Sequence, residues 1–340
     1  MIKKYRGLFV CIILFLITFL LGLKMGTVKL SVTETLQLLF WNQGTKENQL
    51  IFHTFRIPRV LTACLVGISL SMSGEILQKI TRNKIADAGI LGVSSGVAFG
   101  GVFYFFLLGN YVENLTVIGE MSLMFFGLLG AIFALSLNLI LSVSHGKLNM
   151  SRFILNGIGI SSGFSALVTF FSLKINADNF SQVNSWLQGS ISQSNWSSVQ
   201  KMSYWILPIL LLLFILSPKL SLLKFSDTHL ESIGFQTTWW RLIFILFAAI
   251  LICVSVLNAG TIGFVGLIVP ALTKIFFKSE GKGYLLGVCL NGMSLLLICD
   301  LLARTLFIPN ELPLNAMLGI IGVPYLIYLV YQSRKGVLKS

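Results

Sequence analysis

RIPRVLTACLVGISLSMSGEILQKITRNKIADAGILGVSSG, residues 56–96, decides the fold. From Val60 to Thr81 it is a nearly unbroken run of apolar and small residues. That is about the 20 residues an α-helix needs to cross a hydrocarbon core ~30 Å thick. Arg82, Asn83 and Lys84 then break the run. Gly92, Gly96 and Gly100 open the next one at every fourth residue, a spacing that lets two helix backbones touch where lipid supplies no hydrophobic drive.

The same alternation of apolar run and polar break continues in both directions. It predicts about ten membrane-spanning helices, at roughly 8–27, 60–81, 92–109, 117–142, 151–172, 198–217, 241–259, 262–277, 284–303 and 312–331. No linker divides the series, so residues 1–340 read as one all-α, polytopic membrane domain. Composition agrees: 55% of residues are hydrophobic and 11% charged, against about 25% charged in soluble domains. The net charge of +13 does not indicate nucleic acid, because Lys and Arg lie between apolar runs and form no single patch.

With the N-terminus inside, seventeen of the 25 Lys and Arg residues fall on the cytoplasmic side, including Lys79, Arg82, Lys147, Arg241, Lys278 and Lys339. The outer eight include Lys29, Arg56, Arg59 and Arg304. This asymmetry obeys the positive-inside rule and places both termini in the cytoplasm. Lys3, Lys4 and Arg6 ahead of an apolar run resemble a secretory leader, but no small-residue cleavage site follows. Cys11, Cys64, Cys253, Cys289 and Cys299 sit inside apolar runs and read as small buried hydrophobes.

The longest cytoplasmic segment, about 220–241, is too polar to insert and too short to be a catalytic domain. It suits either a connecting loop or a short surface helix, with Asp227 as the cap, Leu230 and Ile233 on one apolar face and Gly234 as the stop. Gly260, Gly263, Gly266 and Pro270 in AGTIGFVGLIVPAL (259–272) predict a broken helix at the centre of the bundle. Asn156, Gly159 and Gly163, flanked by Ser161 and Ser162, make a span suited to face protein or a water-filled path.

Chemistry is sparse. No phosphate-cradling G-x-x-x-x-G-K-[ST] loop is present, so the chain does not hydrolyse ATP by itself. His53, His145 and His229 are scattered over different loops, which argues against a bound metal or haem, and no cofactor is expected. Glu75 is the one conspicuous intramembrane carboxylate. It reads as neutralised by Lys79 one turn on, or else as a proton relay. A simple pair would tolerate reversal of both charges better than of either alone. Arg56 and Arg59 around Pro58, together with Arg304, stand at outer helix ends and either snorkel to headgroups or capture carboxylates of a docking partner.

Several segments in order, RIPRVLTACLVGISLSMSGEILQKITRNKIADAGILGVSSG (56–96), ILNGIGISSG (154–163), SWLQGSIS (185–192), DTHLESIGF (227–235), AGTIGFVGLIVP (259–270) and DLLARTLFIPNELPLNAMLGIIGVPYLIYL (300–329), resemble the iron-siderophore and cobalamin ABC permeases, the type II importer membrane subunits. The resemblance implies ten helices per subunit and a bacterial cytoplasmic-membrane location. It also implies a homo- or heterodimer with a second permease subunit, two cytoplasmic ATPase subunits and an extracytoplasmic substrate-binding protein. The cargo expected is an iron(III)-siderophore complex, with haem or cobalamin as the alternative; an ion-coupled secondary transporter is the rival of another class.

By motif position the resemblance makes Arg56, Arg59 and Arg304 docking residues and Asp227, Leu230, Glu231, Ile233 and Gly234 ATPase-coupling residues. Asn83, Ile85 and Asp87 would belong to the inner gate, and Asn156, Gly159, Ser162 and Gly163 are expected to line the path. Lys84 and Ala88 stand where the family usually has proline, which predicts a less rigid inner loop.

Overall fold

Among the described residues, ten helices of 12 residues or more form where the apolar runs lie: α1 (Ile2–Lys24), α2 (Ile57–Thr81), α3 (Val93–Leu108), α4 (Thr116–Ser142), α5 (Met150–Ser172), α6 (Trp196–Ile215), α7 (Thr237–Ala259), α8 (Val265–Phe276), α9 (Lys282–Thr305) and α10 (Leu314–Val337). This computed structural model describes residues 2–26, 30–108, 116–144, 146–277, 279–306 and 311–337. Lys29, His145, Lys278 and Lys339 lie outside the described residues. Among the described residues, seven helices are long and apolar enough to cross a membrane, and the apolar parts of α3, α8 and α10 are shorter. A tight antiparallel turn, Val143 opposite Leu148, joins α4 to α5.

α2 is the hub. Its span, continuous with the preceding turns from Lys46 to Thr81, is 89% buried, whereas that of α5 is 17% buried and those of α1 and α4 are 28%. A helix apolar on all sides belongs inside, and α7, α8 and α9 pack around it. Glycines permit the approach: Gly67 meets the Gly292 carbonyl and Gly74 meets Gly266, where any Cβ would strike backbone. Gly96 and Gly100 likewise bring α3 onto α4, but Gly92 does not continue that stripe. It lies at φ 77°, the left-handed residue that ends a short 3₁₀ turn over Ala88–Leu91.

The expected break is real. α7 stops at Ala259, Gly260 takes φ 73°, and residues 260–264 run without helix. Their backbone is satisfied from neighbouring segments, Gly263 N–H by Asn315 Oδ1 at 3.2 Å and Ala259 C=O by Ser190 N–H at 3.0 Å. Further on, Pro270 cannot donate to the carbonyl of Gly266, and Gln78 Nε2 from α2 donates to it instead at 3.1 Å.

Short helices over Val32–Trp41 and Ala177–Leu187 escaped the hydropathy reading because they do not span. The first is marked in the sequence by a capping box, Ser31 with Glu34. All five cysteines are buried free thiols.

Candidate functional site

The bundle has two polar ends, and a largely buried ionic cluster lies toward the second, where its Glu280 also comes within 3.9 Å of Lys224. At one end Arg56 leaves a π-helical turn, Ile51–Arg56, that leads directly into α2. Arg56 Nη1 donates to the carbonyls of Leu23 and Lys24, each at 2.9 Å, and Arg304 Nη2 donates to that of Gly22 at 2.6 Å. These are orphan carbonyls at the C-terminus of α1, where the helix dipole also favours a cation. Both arginines are buried, so they hold the end of α1 and offer little to a partner's carboxylate.

Arg59 differs. Its Nε and Nη2 donate to Asp300 Oδ1 at 3.0 and 2.8 Å, and Nη1 and Nη2 donate to the two oxygens of Glu311 at 2.9 Å each. Arg304 Nε approaches Asp300 Oδ2 to 3.4 Å without hydrogen-bond geometry. The Arg59 guanidinium holds the Glu311 carboxyl below its usual range, chiefly through these hydrogen bonds. Asp300, 1% exposed in α9, is a second intramembrane carboxylate beside Glu75. Hydropathy hides it within one turn of Arg304.

At the opposite end the 220–241 segment does contain a short helix, Asp227–Ser232. Asp227 is not its cap: Ser226 holds that position, and the Asp227 carboxylate accepts instead from Arg82 and from both Nη atoms of Arg241, at 2.7 and 2.9 Å. Nor do Leu230 and Ile233 share an apolar face. Leu230 is fully buried within the chain, while Ile233 is 60% exposed. Gly234 ends the helix at φ 73°, and Phe235 N–H returns to Leu230 C=O at 2.9 Å, an αL stop. Glu231 pairs with Lys147 at 2.6 Å. The outward groups of this segment are thus Glu231, Ile233 and Gly234, and Asp227 and Leu230 seat it.

That seat is charge-dependent. Hydrogen bonds from Arg241 first, then Arg82, lower the Asp227 pKa. A lowered carboxylate contributes stability above its unfolded pKa, near ~3.9, and loses it as pH falls through the lower folded value. Asp227→Asn should therefore loosen residues 227–234 by about 1 kcal/mol at neutral pH, a value discounted because the carboxylate is partly exposed. Hydrogen exchange of the segment checks this: its protection should fall in the variant and, in the parent, only in acid.

The candidate inner-gate loop is ordered without prolines. Asn83 Oδ1 accepts from Ile85 N–H at 3.0 Å, and Asp87 Oδ1 accepts from Gly89 N–H at 2.8 Å to cap the 3₁₀ turn. The Asp87 carboxyl lies near the backbone N–H of Phe264, a residue held at φ 67° where the chain enters α8. Burial pushes the Asp87 carboxyl above its usual range, against the opposing pull of the Gly89 and Phe264 N–H groups. The loop thus forms its local turns with Lys84 and Ala88 in place of proline. Ile85 points outward, 43% exposed.

In the buried cluster Lys79 Nζ lies 2.9 Å from Glu75 Oε1 and 3.4 Å from Glu280 Oε2. Tyr284 O–H donates to Glu75 Oε2 at 2.7 Å. The Glu75 and Lys79 contact is an ion pair without hydrogen-bond geometry. Tyr284, the partner of Glu75, and Glu280, the second partner of Lys79, are not evident from sequence because they come from α9 and the turn before it.

Along α5, Gly159, Ser162 and Gly163 are exposed, and a Cβ on either glycine would meet nothing within 4 Å. Asn156 instead turns toward α4, donating to Ser142 Oγ at 3.2 Å.

This arrangement matches known proteins. Residues 14–332 match the FecCD transport family. The chain is 33% identical to the iron-uptake system permease protein FeuC of Bacillus subtilis (strain 168) over 99% of both proteins. It is 33% identical to the hemin transport system permease protein HmuU of Yersinia pestis over 94% of this chain and 95% of that one. It is also 32% identical to the molybdate import system permease protein MolB of Haemophilus influenzae over 97% and 96%. A solved structure described as an inward-facing conformation of a putative metal-chelate type ABC transporter superposes with a TM-score of 0.81 and 30% identity, covering 96% of this chain and 99% of that one. The fold is therefore that of a type II importer permease, which implies ATPase and binding-protein partners. The chain belongs to the FecCD transport family and is the permease subunit of an ABC importer, not itself catalytic.

Proposed function

We propose that this permease carries an iron(III)-siderophore complex across the bacterial cytoplasmic membrane. Both termini and the Asp227 end face the cytoplasm, and the Arg59 end faces outward. Two such permeases, alike or paired with a related chain, would enclose the path and bind two ATPase subunits, with an extracytoplasmic protein delivering cargo. The full-length likeness to the iron-uptake permease FeuC supports iron as the cargo, and the match to a probable siderophore transport permease, YfhA, supports its siderophore form. The equal identity to HmuU makes haem the second reading, and the match to MolB is the reason a direct test of cargo is needed.

Residue roles follow from what each group offers. Glu231, Ile233 and Gly234 present the coupling surface; Asn83, Ile85 and Asp87 form the inner gate. Gly159, Ser162 and Gly163 line the path with small, weakly polar groups that admit a bulky chelate, while Asn156 positions α5 against α4. Arg59 is the docking residue, and Arg56 and Arg304 act indirectly by fixing α1 and Asp300 beside it. Deletion of the gene should abolish growth on ferric siderophores as sole iron source and leave growth on haem and uptake of molybdate intact. Loss of haem use with siderophore use retained would replace the first reading by the second.

A further inference from the structure

Four of the five N–H groups of Arg59 are already committed: Nε and one Nη2 hydrogen to Asp300, the other Nη2 hydrogen and one on Nη1 to Glu311. The two acceptors are not equivalent. Asp300 is 1% exposed, and withdrawing its arginine would strand a buried carboxylate. Glu311 is 40% exposed and can return to water at little cost. Its departure would not free the chain around it, since Leu312 N–H is held by Ala303 C=O and Leu314 N–H by Gly189 C=O, both at 3.1 Å. A carboxylate arriving from outside can form a two-point fork with Arg59 only by taking the place of Glu311.

We infer that Glu311 is an intrachain stand-in for the carboxylate of the binding protein, a competitor that weakens docking and speeds release. Asp300 keeps the guanidinium aimed outward whether Glu311 or the partner occupies its free edge. The inference rests on the reading of Arg59 as the docking residue. It predicts that loss of Glu311 strengthens docking, whereas a merely structural pair predicts no gain.

The test measures docking of the binding protein that cross-links to this importer, using the assembled complex in nanodiscs and the variants Glu311→Gln, Glu311→Asp and Arg59→Lys. Glu311→Gln should tighten docking about two- to fivefold, the worth of one exposed ion pair, mainly through slower dissociation. Glu311→Asp keeps the charge but, one methylene shorter, no longer reaches both guanidinium nitrogens from a backbone held in place at Leu312 and Leu314, so it should also tighten docking. Arg59→Lys should weaken it. Unchanged or weaker docking in Glu311→Gln, with Arg59→Lys still impaired, overturns the competitor and leaves the docking residue standing. A gain in Glu311→Gln but none in Glu311→Asp assigns the effect to net charge and also overturns it. Unaltered docking in Arg59→Lys removes the docking reading itself, and the inference with it.

Discussion

Ile233→Glu should uncouple the importer, lowering cargo-stimulated ATP hydrolysis by more than about 30-fold while the permease folds and assembles in the membrane normally. The side chain is 60% exposed and beside the αL stop, so a charge there disturbs nothing within the chain. In a partner groove the same charge would be desolvated, and an interface anchor of that kind is worth roughly 2 kcal/mol or more. Gly234→Pro should be as damaging by another route. Proline forces φ to about −65° and deletes the N–H that donates to Glu231 C=O at 3.0 Å, so the helix end loses its shape. Gly234→Ala meets no atom within 4 Å and carries only the left-handed penalty of about 1–2 kcal/mol; it should keep part of the coupling. Hydrolysis by the reconstituted complex, with and without cargo-loaded binding protein, measures all three. Full stimulation in Ile233→Glu would move the coupling surface elsewhere.

Lys79→Met should be the most destabilising single change in the membrane core. It leaves the fully buried Glu75 with Tyr284 as its hydrogen-bonding neighbour and no cation, a loss of roughly 3–5 kcal/mol for a broken buried pair. Replacing both charges, Glu75→Leu with Lys79→Met, should recover most of that stability because no charge is then buried. Reversal of the pair is a different matter. The sequence alone predicts that exchanging the two charges would be tolerated better than reversing either one, but a glutamate at position 79 would lie where Lys79 now meets Glu280 at 3.4 Å. The exchanged protein should therefore stay impaired, and only Glu280→Gln added to it should help. Thermal midpoints in detergent, read beside transport, decide the point. A stable Glu75→Gln variant that fails to transport would instead assign Glu75 to conduction.

How much of this was legible in one dimension depends on the distance over which each signal acts. Span length, the small-residue spacing at Gly96 and Gly100, and the stop at Gly234 are local properties of the chain, and the structure places them where the sequence does. The break at 260–264 was legible too, because glycine and proline act on their own backbone. Partnership was not. Asp300 lies 241 residues from Arg59, and Glu311 lies 252; nothing in FRIPRV says that its second arginine is already bound.

The same limit explains the misassigned faces. Helical periodicity put Leu230 beside Ile233, but a helix of six residues is too short for its pattern to outweigh the pull of the core on Leu230. Asp227 looked like a cap because Asp suits that position, yet Arg82 and Arg241 from two other segments compete for it and win. Motif resemblance named the three arginines alike. Only the packing showed that Arg56 and Arg304 are buried against the end of α1, whereas one partner of Arg59, Glu311, is exposed.

As the permease of an ABC importer, this chain moves cargo on ATP hydrolysed by its partners. Liposomes containing the permease, its ATPase and the binding protein loaded with a ferric siderophore should accumulate the chelate only when ATP is supplied to the ATPase side, and an imposed proton or sodium gradient alone should drive none. Accumulation by the permease without its ATPase, under an ion gradient, would contradict the account.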